Sequence, residues 1–145
     1  MRWGSASDVG RVRDHNEDSL IVLPDFGVWG VADGMGGHAG GEIASNAVVE
    51  AVARSLNKGH ELLEAIHQAD QHIRELTRNG EGKPGMGSTV VLARFDDTRY
   101  ELAWVGDSRA YLWDGELKML SRDHTYVQGL VDSGTISEEE AKGHP

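Results

Sequence analysis

Apolar residues cluster at positions 20–23 and again at 26–31, with Pro24-Asp25-Phe26-Gly27 at the junction. This predicts two strands folded about a Pro-Asp-Phe-Gly turn. The period then changes. Residues 42–56 carry Ile43, Ala47, Val48, Ala51 and Val52, and residues 61–76 carry Leu62, Ile66, Ala69, Ile73 and Leu76. Spacings of three and four residues predict two helices, each with one apolar stripe turned to a core. A polar, glycine-bearing stretch at 77–85 reads as a loop, and strand patterns resume at 88–95 and 99–105 around Asp96-Asp97-Thr98. Two shorter strands, 109–113 and 116–120, hinge at Asp114-Gly115, a strong hairpin signal. The tail predicts short helices at 126–133 and 137–142, the second opened by a capping box from Ser137 to Glu140. A parallel sheet would alternate strand and helix. Strands, two helices, strands and then short helices fit an α+β fold, with antiparallel sheets and helices packed outside.

The opening hairpin has a chemical consequence. It sets the start of its first strand, Asn16-Glu17-Asp18, beside the end of its second, Ala32-Asp33-Gly34. Asp18 and Asp33 then face each other, and two such carboxylates repel unless a cation or a proton lies between them. Hard oxygen donors of this kind suit Mg²⁺ or Mn²⁺.

Composition narrows the setting. The 145 residues are 39% hydrophobic, enough for one globular domain with a core. A formal charge of −10 argues against nucleic acid as a partner. Cysteine is absent, which excludes disulfides and thiolate metal sites and points to a reducing cytoplasm. No apolar run reaches the roughly 18–20 residues that span a membrane, and Met1-Arg2-Trp3-Gly4 lacks a signal-peptide core. The seven histidines show no His-Glu-x-x-His spacing, so a zinc hydrolase has no ligand set.

The segment following Asp33 is the most specific. Five glycines lie between Asp33 and the first helix, at Gly34, Gly36, Gly37, Gly40 and Gly41, letting backbone approach an ion or a phosphate closely. No Gly-Lys-Ser/Thr completes a nucleotide loop. Gly34 can offer its carbonyl to a cation. His38 suits a general acid by its titration near neutrality, and equally a loop histidine satisfying backbone groups. Arg13 suits bidentate capture of a phosphate, and equally a solvated surface. In Gly106-Asp107-Ser108-Arg109, Asp107 is a candidate ligand for a further metal or an Asx-type turn residue, while Arg109 fits a turn anchor better than a substrate contact. Asp123 or Thr125 fits a helix cap.

These segments, taken in order, resemble the metal-dependent Ser/Thr protein phosphatases of the 2C type in their bacterial form. The resemblance rests on Ser7-Asp8-Val9-Gly10 with Arg13 and Asn16-Glu17-Asp18, on Val31-Ala32-Asp33-Gly34-Met35-Gly36-Gly37-His38, and on Gly87-Ser88-Thr89-Val90-Val91. Trp104-Val105-Gly106-Asp107-Ser108-Arg109-Ala110 and Asp123-His124-Thr125 complete it. It implies two packed antiparallel sheets flanked by helices, with a two-metal site at one edge of the sandwich. By motif match, Asp33 would bridge both ions, Asp18 and the Gly34 carbonyl would serve one of them, and Glu17 would act behind them through a water. Arg13 would hold the substrate phosphate, His38 sits where a general acid has been proposed, and Asp107 would serve a third ion. The implied reaction is dephosphorylation of phosphoserine and phosphothreonine proteins by a metal-activated hydroxide, opposing Ser/Thr kinases.

The same resemblance implies that 145 residues are the N-terminal part of a catalytic domain. The later Ser-Asp-Gly and Asp-Asn motifs and the closing strands would follow Glu139-Glu140-Ala141 and His144-Pro145. An alternative expectation follows: a non-catalytic fragment acting as an interaction module, or one assembling by strand exchange through unpaired edges.

Overall fold

The structure, a computed structural model, describes residues 1–37 and 39–124. The predicted tail helices, Thr125 and His38 lie outside the described residues. Strand β1 (Asp18–Leu23) leads through a 3₁₀ turn at Pro24–Phe26 into β2 (Val28–Met35). Helices α1 (Gly40–Asn57) and α2 (Leu62–Arg78) follow, then β3 (Gly87–Ser88), β4 (Val90–Phe95), β5 (Tyr100–Val105), β6 (Tyr111–Trp113) and β7 (Leu117–Met119). Strands β1-β2-β4-β5 pair antiparallel in that order with β3 beside β2, while β6 and β7 form a separate two-stranded antiparallel sheet. The expected α+β class holds.

Phe26, expected in the second strand, belongs to the turn instead. The N–H of Gly27 closes on the Pro24 carbonyl at 3.0 Å, so extended backbone resumes only at Val28. Both helices run one or two residues past their last apolar position, because each ends in a Schellman motif. In α1 the Gly59 and His60 N–H groups reach the Leu56 and Ser55 carbonyls; in α2 the Gly80 and Glu81 N–H groups reach those of Thr77 and Leu76. Gly59 and Gly80 have φ of 84° and 76°, a left-handed conformation that costs other residues roughly 1–2 kcal/mol. Gly59→Ala and Gly80→Ala are therefore each expected to lower stability by about 1–2 kcal/mol in urea titration, with no change in m-value.

The helices cover one sheet face. Ile21, Val28, Ala32, Val90 and Leu92 meet Val48, Ala51, Val52 and Leu56 of α1 and Leu62, Ala65 and Ala69 of α2 in one buried cluster. Ser19 ties β1 to α1 through the Ser45 hydroxyl at 2.8 Å and Asn46 Oδ1 at 3.1 Å. By strand alternation, the opposite face carries Leu20, Val22, Trp29, Val31, Val91, Phe95, Tyr100 and Trp104. Trp3 from the N-terminal segment lies over Trp29, with ring centroids 6.3 Å apart, and Trp29 meets Phe95 edge-on at 5.8 Å. Among the described residues, no helix is long and apolar enough to cross a membrane.

Candidate functional site

Asp18 and Asp33 are direct register partners in the β1–β2 ladder, as the hairpin argument requires. They lie at one end of the sheet's otherwise apolar face, in line with Leu20–Val31 pairing two residues further along. A cleft of about 190 Å³ opens over them, lined by Asp8, Val9, Arg13, His15, Asn16, Glu17, Asp18 and Asp33. The wall opposite the aspartates is irregular chain, fixed by side-chain hydrogen bonds. The Asn16 amide donates to Ser7 Oγ at 2.7 Å, its Oδ1 accepts from the Asp18 N–H at 3.0 Å, and Asp8 Oδ1 accepts from the Gly10 N–H at 2.7 Å. A larger cleft of about 770 Å³ lies between α2 and the β3–β5 side of the sheet. Its walls are mainly apolar, and its one carboxylate, Asp70, is paired with Arg74, so the candidate chemistry does not lie there.

Gly34 and Glu17 connect this cleft to the helical layer. The Gly34 N–H donates to the Glu17 carbonyl at 3.0 Å. A Cβ on Gly34 would stand 1.8 Å from the Gly41 carbonyl oxygen, so β2 and the first turn of α1 touch backbone to backbone. A Cβ on Gly41 would stand 2.5 Å from the Glu17 carboxyl carbon. The Glu17 carboxylate thus rests against the N-terminus of α1, where the helix dipole favours negative charge.

The electrostatics centre on Asp33. Burial of its carboxyl raises it above the usual carboxylate range, although the residue still faces solvent. The Asp18 charge and a hydrogen bond shared with Asp18 add to the rise, Asp107 adds a further one, and Arg13 opposes them. Three other residues singled out in the sequence, Arg13, Asp18 and Asp107, are therefore within electrostatic reach of Asp33. The available donors are carboxylate and carbonyl oxygens with excess negative charge, a set that fits a hard divalent cation. Among the described residues, no three His, Asp or Glu side chains gather closely enough to hold an ion by themselves.

Elsewhere the sequence expectations divide. Arg109 anchors a turn: its Nε and Nη2 clasp Asp123 at 2.9 and 2.7 Å and hold that carboxyl below its usual range. Asp123, expected as a candidate cap, is committed to this pair. His124 stacks on Trp104 at 6.0 Å. Asp8 and His15, not read as site residues from the sequence, line the cleft through irregular backbone that has no periodicity to betray it.

The family model for Protein phosphatase 2C matches residues 11–139. The chain belongs to the protein phosphatase 2C family. It is 41% identical over 152 aligned residues to the serine/threonine protein phosphatase PstP of Mycobacterium tuberculosis, covering 100% of this chain and 29% of PstP. It is 35% identical to the serine/threonine phosphatase Stp of Listeria monocytogenes, covering 96% of this chain and 61% of that protein. The crystal structure of the PstP catalytic domain in complex with two manganese ions superposes with a TM-score of 0.78 at 39% identity, over 97% of this chain and 63% of that one. The chain thus spans less than two thirds of these 2C-type relatives. The two antiparallel sheets with outer helices agree with the fold of this neighbour.

Proposed function

We propose that this 2C-type chain forms the N-terminal half of a divalent-metal centre in a phosphatase acting on phosphoserine and phosphothreonine proteins. The observation carrying the proposal is the Asp18–Asp33 ladder pair, with Arg13 on the wall of the same cleft. In this reading Asp33, Asp18 and the Gly34 carbonyl would hold the ions, with Glu17 acting behind them through a water. Asp107 would serve a third ion, and His38 would act as a general acid. When bound, the ions supply Lewis acidity and a water acidified toward neutrality. Mn²⁺ or Mg²⁺ suits the donor set, and the manganese in the PstP structure supports the former.

The chain's own residues do the rest. Arg13 presents a planar, permanently charged guanidinium to a phosphoryl group and stabilises charge that grows on it. Arg13 lines the same cleft as the two aspartates, on an irregular segment tied by the Asp8–Gly10 and Asn16–Ser7 hydrogen bonds. Substrates are phosphoproteins made by Ser/Thr kinases in a cytoplasm whose reducing character matches the absence of cysteine.

The test is Mn²⁺-dependent release of phosphate from a phosphothreonine peptide by the protein, with chelator as control. Arg13→Ala is expected to raise KM about 10- to 150-fold, the worth of charge-assisted hydrogen bonds to phosphate, with a smaller loss in kcat. Metal-independent turnover, or an unchanged KM in the variant, contradicts the proposal.

A second reading has its own support. It takes these 145 residues alone as a non-catalytic interaction module. β1 and β5 are the edges of the larger sheet among the described residues, and are the places where self-association by strand addition would begin. Calorimetric titration with Mn²⁺ separates the two: tight binding with turnover by the 145-residue chain removes the module reading.

A further inference from the structure

The strand that pairs with β2 breaks at one residue, Thr89, and the break sits opposite Asp33. Gly34 pairs with Ser88 before the break and Val31 with Val91 after it, so the register is identical on both sides. Thr89 therefore occupies the ladder position facing Asp33. One of the two expected ladder bonds is present: the Thr89 N–H donates to the Asp33 carbonyl at 2.9 Å. The other is diverted. The Asp33 N–H donates at 3.0 Å to Thr89 Oγ1, in place of the Thr89 carbonyl that a regular antiparallel pair would use. That carbonyl instead accepts the Ser88 hydroxyl at 2.8 Å.

The Thr89 hydroxyl has a further partner. It shares a hydrogen bond with Ser108 Oγ, the residue after Asp107. The methyl of Thr89 meets the same turn: a Cβ on Gly106 would stand 2.7 Å from Thr89 Cγ2, and Gly106 has φ of 100°. One side chain thus grips the backbone of Asp33 and, through its hydroxyl and its methyl, the turn that carries Asp107.

We infer that Thr89 and Ser108 are positioning residues that fix the Asp33 backbone relative to the Asp107 turn, so that the two carboxylates approach one metal centre as a set. The Thr89 hydroxyl serves both partners at once: it accepts the Asp33 N–H and exchanges a hydrogen bond with Ser108 Oγ. Diverting the ladder to a side chain joins two segments that regular sheet pairing would leave separate. The functional consequence rests on the phosphatase reading, whereas the coupling itself does not.

Two measurements test it on the 145-residue chain. The first is amide hydrogen exchange by NMR on Thr89→Val, Thr89→Ser and Ser108→Ala. Thr89→Val is expected to speed exchange at Asp33 at least tenfold, and Ser108→Ala to speed it severalfold from the far side of the link. Leu92 in the core should be unaffected, and Thr89→Ser should restore the slow exchange. Unchanged exchange at Asp33 in either Thr89→Val or Ser108→Ala overturns the inference, as does an equal acceleration at Leu92, which signals general destabilisation. The second is Mn²⁺ titration followed by electron paramagnetic resonance, with an expected five- to tenfold weakening in Thr89→Val and Ser108→Ala and retention in Thr89→Ser. Loss of the exchange effect sinks the link, while an intact exchange effect without Mn²⁺ binding by the wild type sinks only the metal reading.

Discussion

Gly34→Ala is expected to be among the most destabilising single substitutions in the chain, at about 3–5 kcal/mol, beyond ordinary overpacking. The added methyl would stand 1.8 Å from the Gly41 carbonyl oxygen, 2.5 Å from its carbon and 2.9 Å from its Cα. None of these belongs to a side chain that can rotate away. Relief requires α1 to lift from β2, and α1 is held by Ala47, Val48, Ala51 and Val52, all buried. Domain stabilities are typically about 5–15 kcal/mol, so the loss would consume a large share. Gly37→Ala is the control: its Cβ meets nothing within 4 Å, and a change within about 0.5 kcal/mol is expected. Urea titration followed by far-UV circular dichroism separates the two. Equal midpoints for the two variants would contradict the contact.

Asp33→Asn is expected to change stability in opposite directions with and without metal. In the metal-free protein Asp33 has a raised pKa, set by burial, by Asp18 and then by Asp107. A carboxyl raised on folding contributes stability that is complete below its unfolded pKa and is lost as pH rises through the folded one. At neutral pH the wild type therefore carries an unrelieved carboxylate pair across a ladder, a like-charge penalty of up to about 1 kcal/mol. Asparagine removes it, and the metal-free variant should melt about 2–4 °C higher at pH 7. The gain should fade as pH falls through the carboxylate range.

Mn²⁺ is expected to reverse the order. At about a hundredfold its Kd, a bound ion adds roughly 2.7 kcal/mol to the wild type, or about 8 °C for a chain of this size. Asp33→Asn should lose that response, with Mn²⁺ affinity falling more than about 100-fold, beyond the cost of losing an outer partner. Differential scanning calorimetry with and without Mn²⁺ reads both effects. A variant that melts lower without metal and still responds to Mn²⁺ would remove Asp33 from the centre.

The Asp18–Asp33 pairing was legible in the sequence because a hairpin obeys simple rules. A turn signal between two apolar runs sets the register, and the register sets which residues face each other. The helical stripes were legible for a similar reason, since Val48, Ala51, Val52, Leu62 and Ala69 all reach the core. The helix ends were less so, because the Schellman bonds of Gly59 and Gly80 continue the helices beyond the apolar pattern. The cleft wall around Asp8 and His15 was beyond pattern reading, as chain held by scattered side-chain bonds leaves no period.

Thr89 illustrates another limit. In sequence it is a threonine within a strand-like run, where β-branched residues are expected. Only the three-dimensional register shows that its hydroxyl replaces a carbonyl in the ladder opposite Asp33. Glu17 is comparable: the triplet drew attention to it, but its contact with Gly41 depends on how α1 meets the hairpin. Local pattern reports elements and neighbours in a hairpin, whereas contacts made by the arrival of a distant element require the assembled fold.

The distribution of indole rings has an optical consequence. Neither α1 nor α2 contains a tryptophan, whereas Trp29 and Trp104 lie on the sheet face opposite them and Trp3 is laid over Trp29. Three of the four tryptophans therefore observe one side of the molecule, the side that ends in the two aspartates. Intrinsic fluorescence is consequently a one-sided gauge, responsive to whatever comes to cover that face and nearly silent about the helical layer. A quencher or a binding partner on the aspartate side can be followed without any label.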